Sequence, residues 1–246
     1  MNTCFKPIIL SFGAAVLTFA VSGAMAASVS VSYDGAYYGS FVKESVDVNA
    51  GPKTNFETIR TGGMQLTVKS DNSGLFSVGE KILAWCVELS QTVRSTTYDT
   101  YKGSELDATW VSSLERLFNK YAGQVNNSVT SAAMQLAIWE VSSGDRNHNL
   151  SDQNFQAKPT STNKNSDTYK AWNLAKEWLA DLDKGDVANT YQLVKLESPK
   201  SQDLITFQQV IATPLPGAAL MFLSALGLGG LARRKPAVQT ALTVRH

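Results

Sequence analysis

The sequence predicts an α+β fold in which strands come first, helices are inserted, and strands return at the end. Three observations carry this. Val29-Ser30-Val31-Ser32-Tyr33 and Met64-Gln65-Leu66-Thr67-Val68 alternate apolar and polar residues, the period of a half-buried strand. Between Gly103 and Gly185, apolar residues recur at helical spacing. Tyr191-Gln192-Leu193-Val194-Lys195-Leu196 and Leu204-Ile205-Thr206-Phe207 then read as closing strands, with Ser198-Pro199 as a turn between them.

The elements follow in order. Residues 28–70 are rich in Val, Tyr, Thr and Ser, and Gly51-Pro52, Gly62-Gly63 and Asp71-Asn72-Ser73-Gly74 are turn signals. Ile82 to Leu89 is a short apolar run read as a buried strand, although period alone does not separate such a run from a helix. Trp110, Leu114, Leu117, Phe118 and Tyr121 mark a first helix, with Asp107 as cap and Gly123 as stop. Gln124 to Asn127 is a polar turn. Ser131 to Val141 forms a second helix that is apolar on all sides, and such a helix must be buried. Thr130 or Ser131 is its expected cap and Gly144 its stop. Asp145 to Ser166 reads as a long surface loop. Trp172, Ala175, Leu179 and Leu182 mark a third, amphipathic helix closed by Gly185. These elements make one domain over residues 27–212.

Both ends carry addresses. Lys6, an apolar run from Ile8 to Ala20 and the Ala24-Met25-Ala26 motif make residues 1–26 a secretory signal peptide, cut after Ala26. At the far end, Pro214-Leu215-Pro216 precedes an apolar span, 217–232, that is short against the ~20 residues a bilayer needs. Arg233-Arg234-Lys235 follows, a cluster that stays cytoplasmic, and residues 236–246 form a short tail. The Pro-x-Pro pair, the small-residue span and the basic cluster over 213–235 resemble the PEP-CTERM sorting signal of Gram-negative bacteria. Leu215 stands where that family usually has Glu. The resemblance implies an exosortase as processing partner, transient residence in the inner membrane through 217–232, and delivery to the cell surface or extracellular matrix. The net charge of +1, with both signs scattered, gives no basic face for nucleic acid.

The chemistry centres on one cysteine. Of two cysteines, Cys4 leaves with the signal peptide, so Cys86 alone remains in an oxidising compartment. A lone exported cysteine is a reactive thiol, a functional group, or a buried small hydrophobe. In the second helix, Gln135 has no polar neighbour on either side. A buried amide left unpaired costs about 1–3 kcal/mol, so Gln135 needs a partner, and the apolar run around Cys86 offers one.

Trp85-Cys86-Val87-Glu88 and Gln135-Leu136-Ala137-Ile138-Trp139 together resemble the thioester domain of bacterial surface proteins. Met134 precedes the glutamine where Gram-positive members usually have Thr. The resemblance implies a β-rich domain with a helical insert, in which Cys86 and Gln135 are joined by an internal thioester. It implies covalent capture of a partner's nucleophile, a lysine amine being the expected one, as in a covalent adhesin. Capture is a single event, so no enzyme and no cofactor are expected. Trp85 and Trp139 are candidates to shield the bond from water, or else core residues. Glu88 and Glu140 are candidates for proton transfer, or else surface or cap carboxylates.

Two other readings compete. One is a structural matrix or biofilm protein in which Cys86 is inert. The other is a hydrolase or transglutaminase pairing Cys86 with His148, the histidine left once the tail is removed. His148 lies in the polar stretch Asn147-His148-Asn149, which favours a solvated loop position. The sequence has no glycine-rich phosphate loop and no metal-ligand spacing.

Overall fold

The computed structural model describes residues 27–47, 55–106, 109–143, 148–151 and 154–210. The signal peptide with Ala24 and Ala26, the sorting signal with Pro214, Pro216, Arg233, Arg234 and Lys235, the tail, Asp107 and Gly144 lie outside them. No helix of the described residues is long and apolar enough to cross a membrane.

Six antiparallel strands close a barrel: β1 (Ser28–Ala36), β4 (Met64–Asp71), β5 (Lys81–Cys86), β9 (Leu204–Gln209), β8 (Tyr191–Glu197) and β6 (Thr96–Lys102), in that order around the wall. Alternate side chains of every strand fill the lumen, as a small barrel requires. Val29, Val31, Leu66, Val68, Tyr98 and Leu196 are among them. β1 and β4 show the clean alternation because their outer faces carry polar residues. β5, β8 and β9 are buried on both sides: Trp85, Leu193 and Ile205 point outward into a second apolar cluster shared with the helices. That is why β5 reads as a continuous apolar run, Ile82 to Cys86, rather than an alternating one.

The helices cover this wall. α1 (Val111–Tyr121) buries Leu114, Leu117 and Phe118, and Phe118 meets Trp85 edge-on at 5.6 Å. α1 ends at Tyr121 and runs into a 3-10 turn, Ala122–Gln124, so Gly123 lies inside that turn. α2 (Ser128–Ser142) buries every residue from Ser131 to Val141. Its cap is Asn127, whose side chain accepts from Val129 and Thr130 N–H at 2.9 and 3.0 Å. The helix therefore starts earlier than the expected cap at Thr130 or Ser131. Thr130 instead completes a reciprocal box, its hydroxyl accepting from Asn127 N–H. α3 (Asp167–Asp181) packs on α2, and its chain leaves through Gly185 at φ +68°.

A second, three-stranded antiparallel sheet has the order β3 (Glu57–Thr61), β2 (Val42–Asp47), β7 (Gln156–Pro159). β7 corrects the expected long loop over Asp145–Ser166. Its Gln-Ala-Lys-Pro sequence has no strand pattern, and Pro159 is tolerated because β7 is an edge strand.

The inner face of this sheet holds a buried acid. Glu44 on β2 is fully buried, and its Oε2 accepts from Thr168 Oγ1 of α3 at 2.8 Å. Burial raises its pKa from the ordinary 4.5 to about 8, against the lowering effect of that hydrogen bond. The folded state thus keeps a proton that the unfolded chain has lost, so stability falls as pH rises from about 4.5 through about 8 and levels above it. Glu44→Gln is expected to flatten this slope and to stabilise the protein at pH 9. Denaturant midpoints at pH 5, 7 and 9 check it, and an unchanged slope in the variant contradicts it.

Candidate functional site

Gln135 lies against the last residue of β5. Its Oε1 accepts from the Cys86 main-chain N–H at 3.0 Å, and its Nε2 donates to the Cys86 carbonyl at 2.8 Å. The pairing has a topological cause. β4 begins at Met64, paired with Ala84, because the chain enters it from the Gly62-Gly63 turn. Beyond Ala84 that edge of β5 has no strand beside it. Trp85 and Val87 face the other way, toward β9, and Val87 N–H donates to Asp203 O at 3.0 Å. Cys86 therefore presents both main-chain groups to a vacant edge, and the Gln135 amide satisfies both as a neighbouring peptide would.

The same face of α2 holds the neighbouring residues of β5. Ser131, one turn before Gln135, takes Gly63 N–H on its hydroxyl at 2.7 Å and Trp85 Nε1–H on its carbonyl at 3.1 Å. Ser142 donates to Val87 O at 3.1 Å. Ser131, Gln135 and Ser142 form a polar stripe at helical spacing that reads Trp85, Cys86 and Val87 in turn. Ser131 and Ser142 escaped the sequence reading, although a stripe spaced by four and then seven residues was a legible signal. Gly63 lets the elements approach: a Cβ there would lie 2.4 Å from Leu83 Cδ1 and 3.0 Å from the Trp85 ring.

Cys86 and Gln135 both line a cavity of about 360 Å³ at the barrel mouth, with Tyr33, Phe41, Arg60 and Trp139 among its walls. Cys86 is a free cysteine. Burial first, and then the field of the Glu88 carboxylate, push its thiol well above the usual range. The site thus disfavours a thiolate and suits sulfur in a neutral form, as thiol or acylated.

The other candidate residues divide. Trp139 follows Gln135 by one turn and walls the cavity, and its buried Nε1–H has no partner among the described residues. Trp85 points to the far side of β5, fully buried and stacked 6.2 Å from Phe207, so it is a core residue behind the site. Glu88 accepts from Ser90 Oγ, Gln91 Nε2 and Asp203 N–H, which tie the loop after β5. Glu140 is fully buried and accepts from Asn149 N–H at 2.7 Å, so it fastens the chain that follows α2. Neither carboxylate lines the cavity. His148 lies elsewhere, at φ +49° with Nε2 3.9 Å from Asp183 Oδ2. Its side chain is 10% exposed, which corrects the expected solvated position: the left-handed turn folds the ring back toward the segment after α3. A larger polar cavity of about 660 Å³, between α1 and β8, contains neither Cys86 nor Gln135. The described residues include no group of acids, His and Cys fit to hold a metal ion.

No family model matches the chain, and no curated protein matches it. Among solved structures, the chain is similar to the N-terminal domain of the Streptococcus pyogenes pilus tip adhesin Cpa. The TM-score is 0.40 and the identity 15%, over 73% of this chain and 99% of that one.

The geometry makes Gln135 more important to the fold than Cys86. Gln135→Ala strips partners from two main-chain groups of Cys86 and is expected to cost about 2–4 kcal/mol. Cys86→Ala keeps both bonds and removes one small side chain, at about 1 kcal/mol. Urea midpoints of the two variants check the order, and equal losses contradict it.

Proposed function

We propose that Cys86 and Gln135 form an internal thioester, and that the protein is an exported surface or matrix adhesin that captures a partner covalently. The observation that carries this is the paired hydrogen bonding of the Gln135 amide with Cys86, at the wall of a shared cavity. The Cys86 sulfur adds to Gln135 Cδ, and negative charge develops on Oε1, which already accepts from the Cys86 N–H. The carbon–nitrogen bond then breaks, and ammonia leaves with the proton that the thiol gave up. The product is an uncharged acyl sulfur, the form that burial at this site favours. An outside nucleophile attacks the same carbon, expels Cys86 and remains attached to residue 135. The raised thiol makes Cys86 a poor leaving group unless a proton reaches it, which protects the bond from water until an acceptor occupies the cavity.

The Cys-His alternative has no support in the geometry, since His148 is not among the residues that line the Cys86 cavity. The inert-cysteine alternative differs in one measurable respect. The purified exported protein is expected to be about 17 Da lighter than its sequence, with no titratable thiol. Methylamine should add once, at Gln135, and free the Cys86 thiol. Cys86→Ala and Gln135→Ala should each abolish this, and His148→Ala should not. A full unmodified mass with one free thiol overturns the proposal in favour of an inert Cys86. Repeated turnover that dies with His148→Ala would instead establish the hydrolase.

A further inference from the structure

The outer face of the second sheet is basic and leads to the Cys86 cavity. The register sets Lys43 directly opposite Arg60, and Ser45 opposite Lys158. Side chains alternate along each strand, so Lys43, Arg60 and Lys158 share the face turned away from Glu44 and α3, and all three are exposed. Like charges directly opposite on a sheet destabilise it. Among the described residues, none of the three has an ion-pair partner. Asp47, nearest on the same face, is buried and accepts from Asn55 N–H at 2.6 Å. Lys158 rests its ammonium 3.7 Å from the Phe56 ring centroid.

Arg60 belongs both to this face and to the cavity wall, where it is the one charged side chain among the described residues. Glu88, the nearby carboxylate that acts on Cys86, is held by its loop and is not part of the wall. An ammonium entering here meets a guanidinium and, among the described lining residues, no carboxylate to receive it. A hydroxyl carries no charge to repel. Tyr33, Phe41 and Trp139 line the cavity, and aromatic side chains suit the apolar face of a sugar.

We propose that the captured acceptor is a hydroxyl of an acidic polysaccharide, whose carboxylates lie across Lys43, Arg60 and Lys158 and whose ring enters the cavity. This rests on the thioester reading above. In a uronate the carboxylate and the hydroxyls stand on nearby ring carbons, so one residue serves both Arg60, as a bidentate carboxylate, and the acyl carbon. The hydroxyl oxygen bonds to the Gln135 acyl carbon, the carbon–sulfur bond breaks, and the hydroxyl proton passes to sulfur. The products are an ester at residue 135 and a neutral Cys86 thiol.

The test incubates the purified exported protein with tetragalacturonate, with maltotetraose, or with methylamine, and follows intact mass. Tetragalacturonate is expected to add once, through an ester that hydroxylamine cleaves, at least tenfold faster than maltotetraose. Raising NaCl from about 0.05 to about 0.5 M should slow it severalfold, because the screening length falls below the spacing of these exposed charges. Arg60→Gln and Lys43→Gln should each lower the ratio of tetragalacturonate to methylamine labelling about fivefold or more. Methylamine labelling with no tetragalacturonate adduct overturns this proposal and leaves the thioester standing. Equal rates for the charged and neutral sugars, or an unchanged ratio in Arg60→Gln, also overturn it. Labelling by none of the three, with an unmodified mass, overturns both.

Discussion

The pairing of the Gln135 amide with the Cys86 main chain is the constraint on which the rest of this structure depends. An antiparallel strand that outlasts its neighbour exposes a main-chain N–H and C=O that must be satisfied. Here the neighbour, β4, begins only at Met64, and a side chain from a helix fills the gap. That choice dictates the surroundings. The helix must come close to the barrel wall, so Gly63 stands where a Cβ would collide with Leu83 and the Trp85 ring. It must also be held in register along its length, which Ser131 and Ser142 do at either side of Gln135.

Burying α2 on every face has a second consequence. A helix already covered by the barrel on one side needs cover on the other, and α3 with the second sheet provides it. That cover brings Glu44 into an apolar setting, where its carboxyl holds a proton well above the ordinary range. Cys86 is subject to the same desolvation, at the opposite face of α2, and its thiol is raised as well. Desolvation is thus the leading cause that favours the neutral form at both Glu44 and Cys86. For the cysteine, that neutrality matches the acyl sulfur of a thioester.

The two sheets divide the remaining tasks. The barrel sets the position of Cys86, because its closed hydrogen-bond ladder leaves the end of β5 little freedom. The small sheet holds its inner face against α2 and α3 and leaves its outer face to solvent. On that face Lys43 and Arg60 sit across from one another, an arrangement that stability alone does not favour. The binding role proposed above would account for this pairing beside the cavity.

Much of this was legible in the chain itself. Strict alternation marked β1 and β4, because each has one wet face. The all-apolar Ser131–Val141 segment announced a buried helix, and a glutamine inside it required a partner, which the structure places at Cys86. Other features were decided only by tertiary structure. β7 has no strand pattern and exists because β2 offers it an edge. Ser131 and Ser142 resemble ordinary helix serines until β5 lies beside them. Trp85 and Trp139 look alike in sequence, yet strand alternation turns one into the core and helix phase turns the other to the cavity. Glu88 and Glu140 likewise follow Cys86 and Gln135 closely in sequence, yet local loop bonds draw both away. Residue chemistry and periodicity are local properties, so the sequence determined which elements form and which groups need partners. Which partner meets which group depends on register and on where a strand ends, and those are set only when distant segments pack.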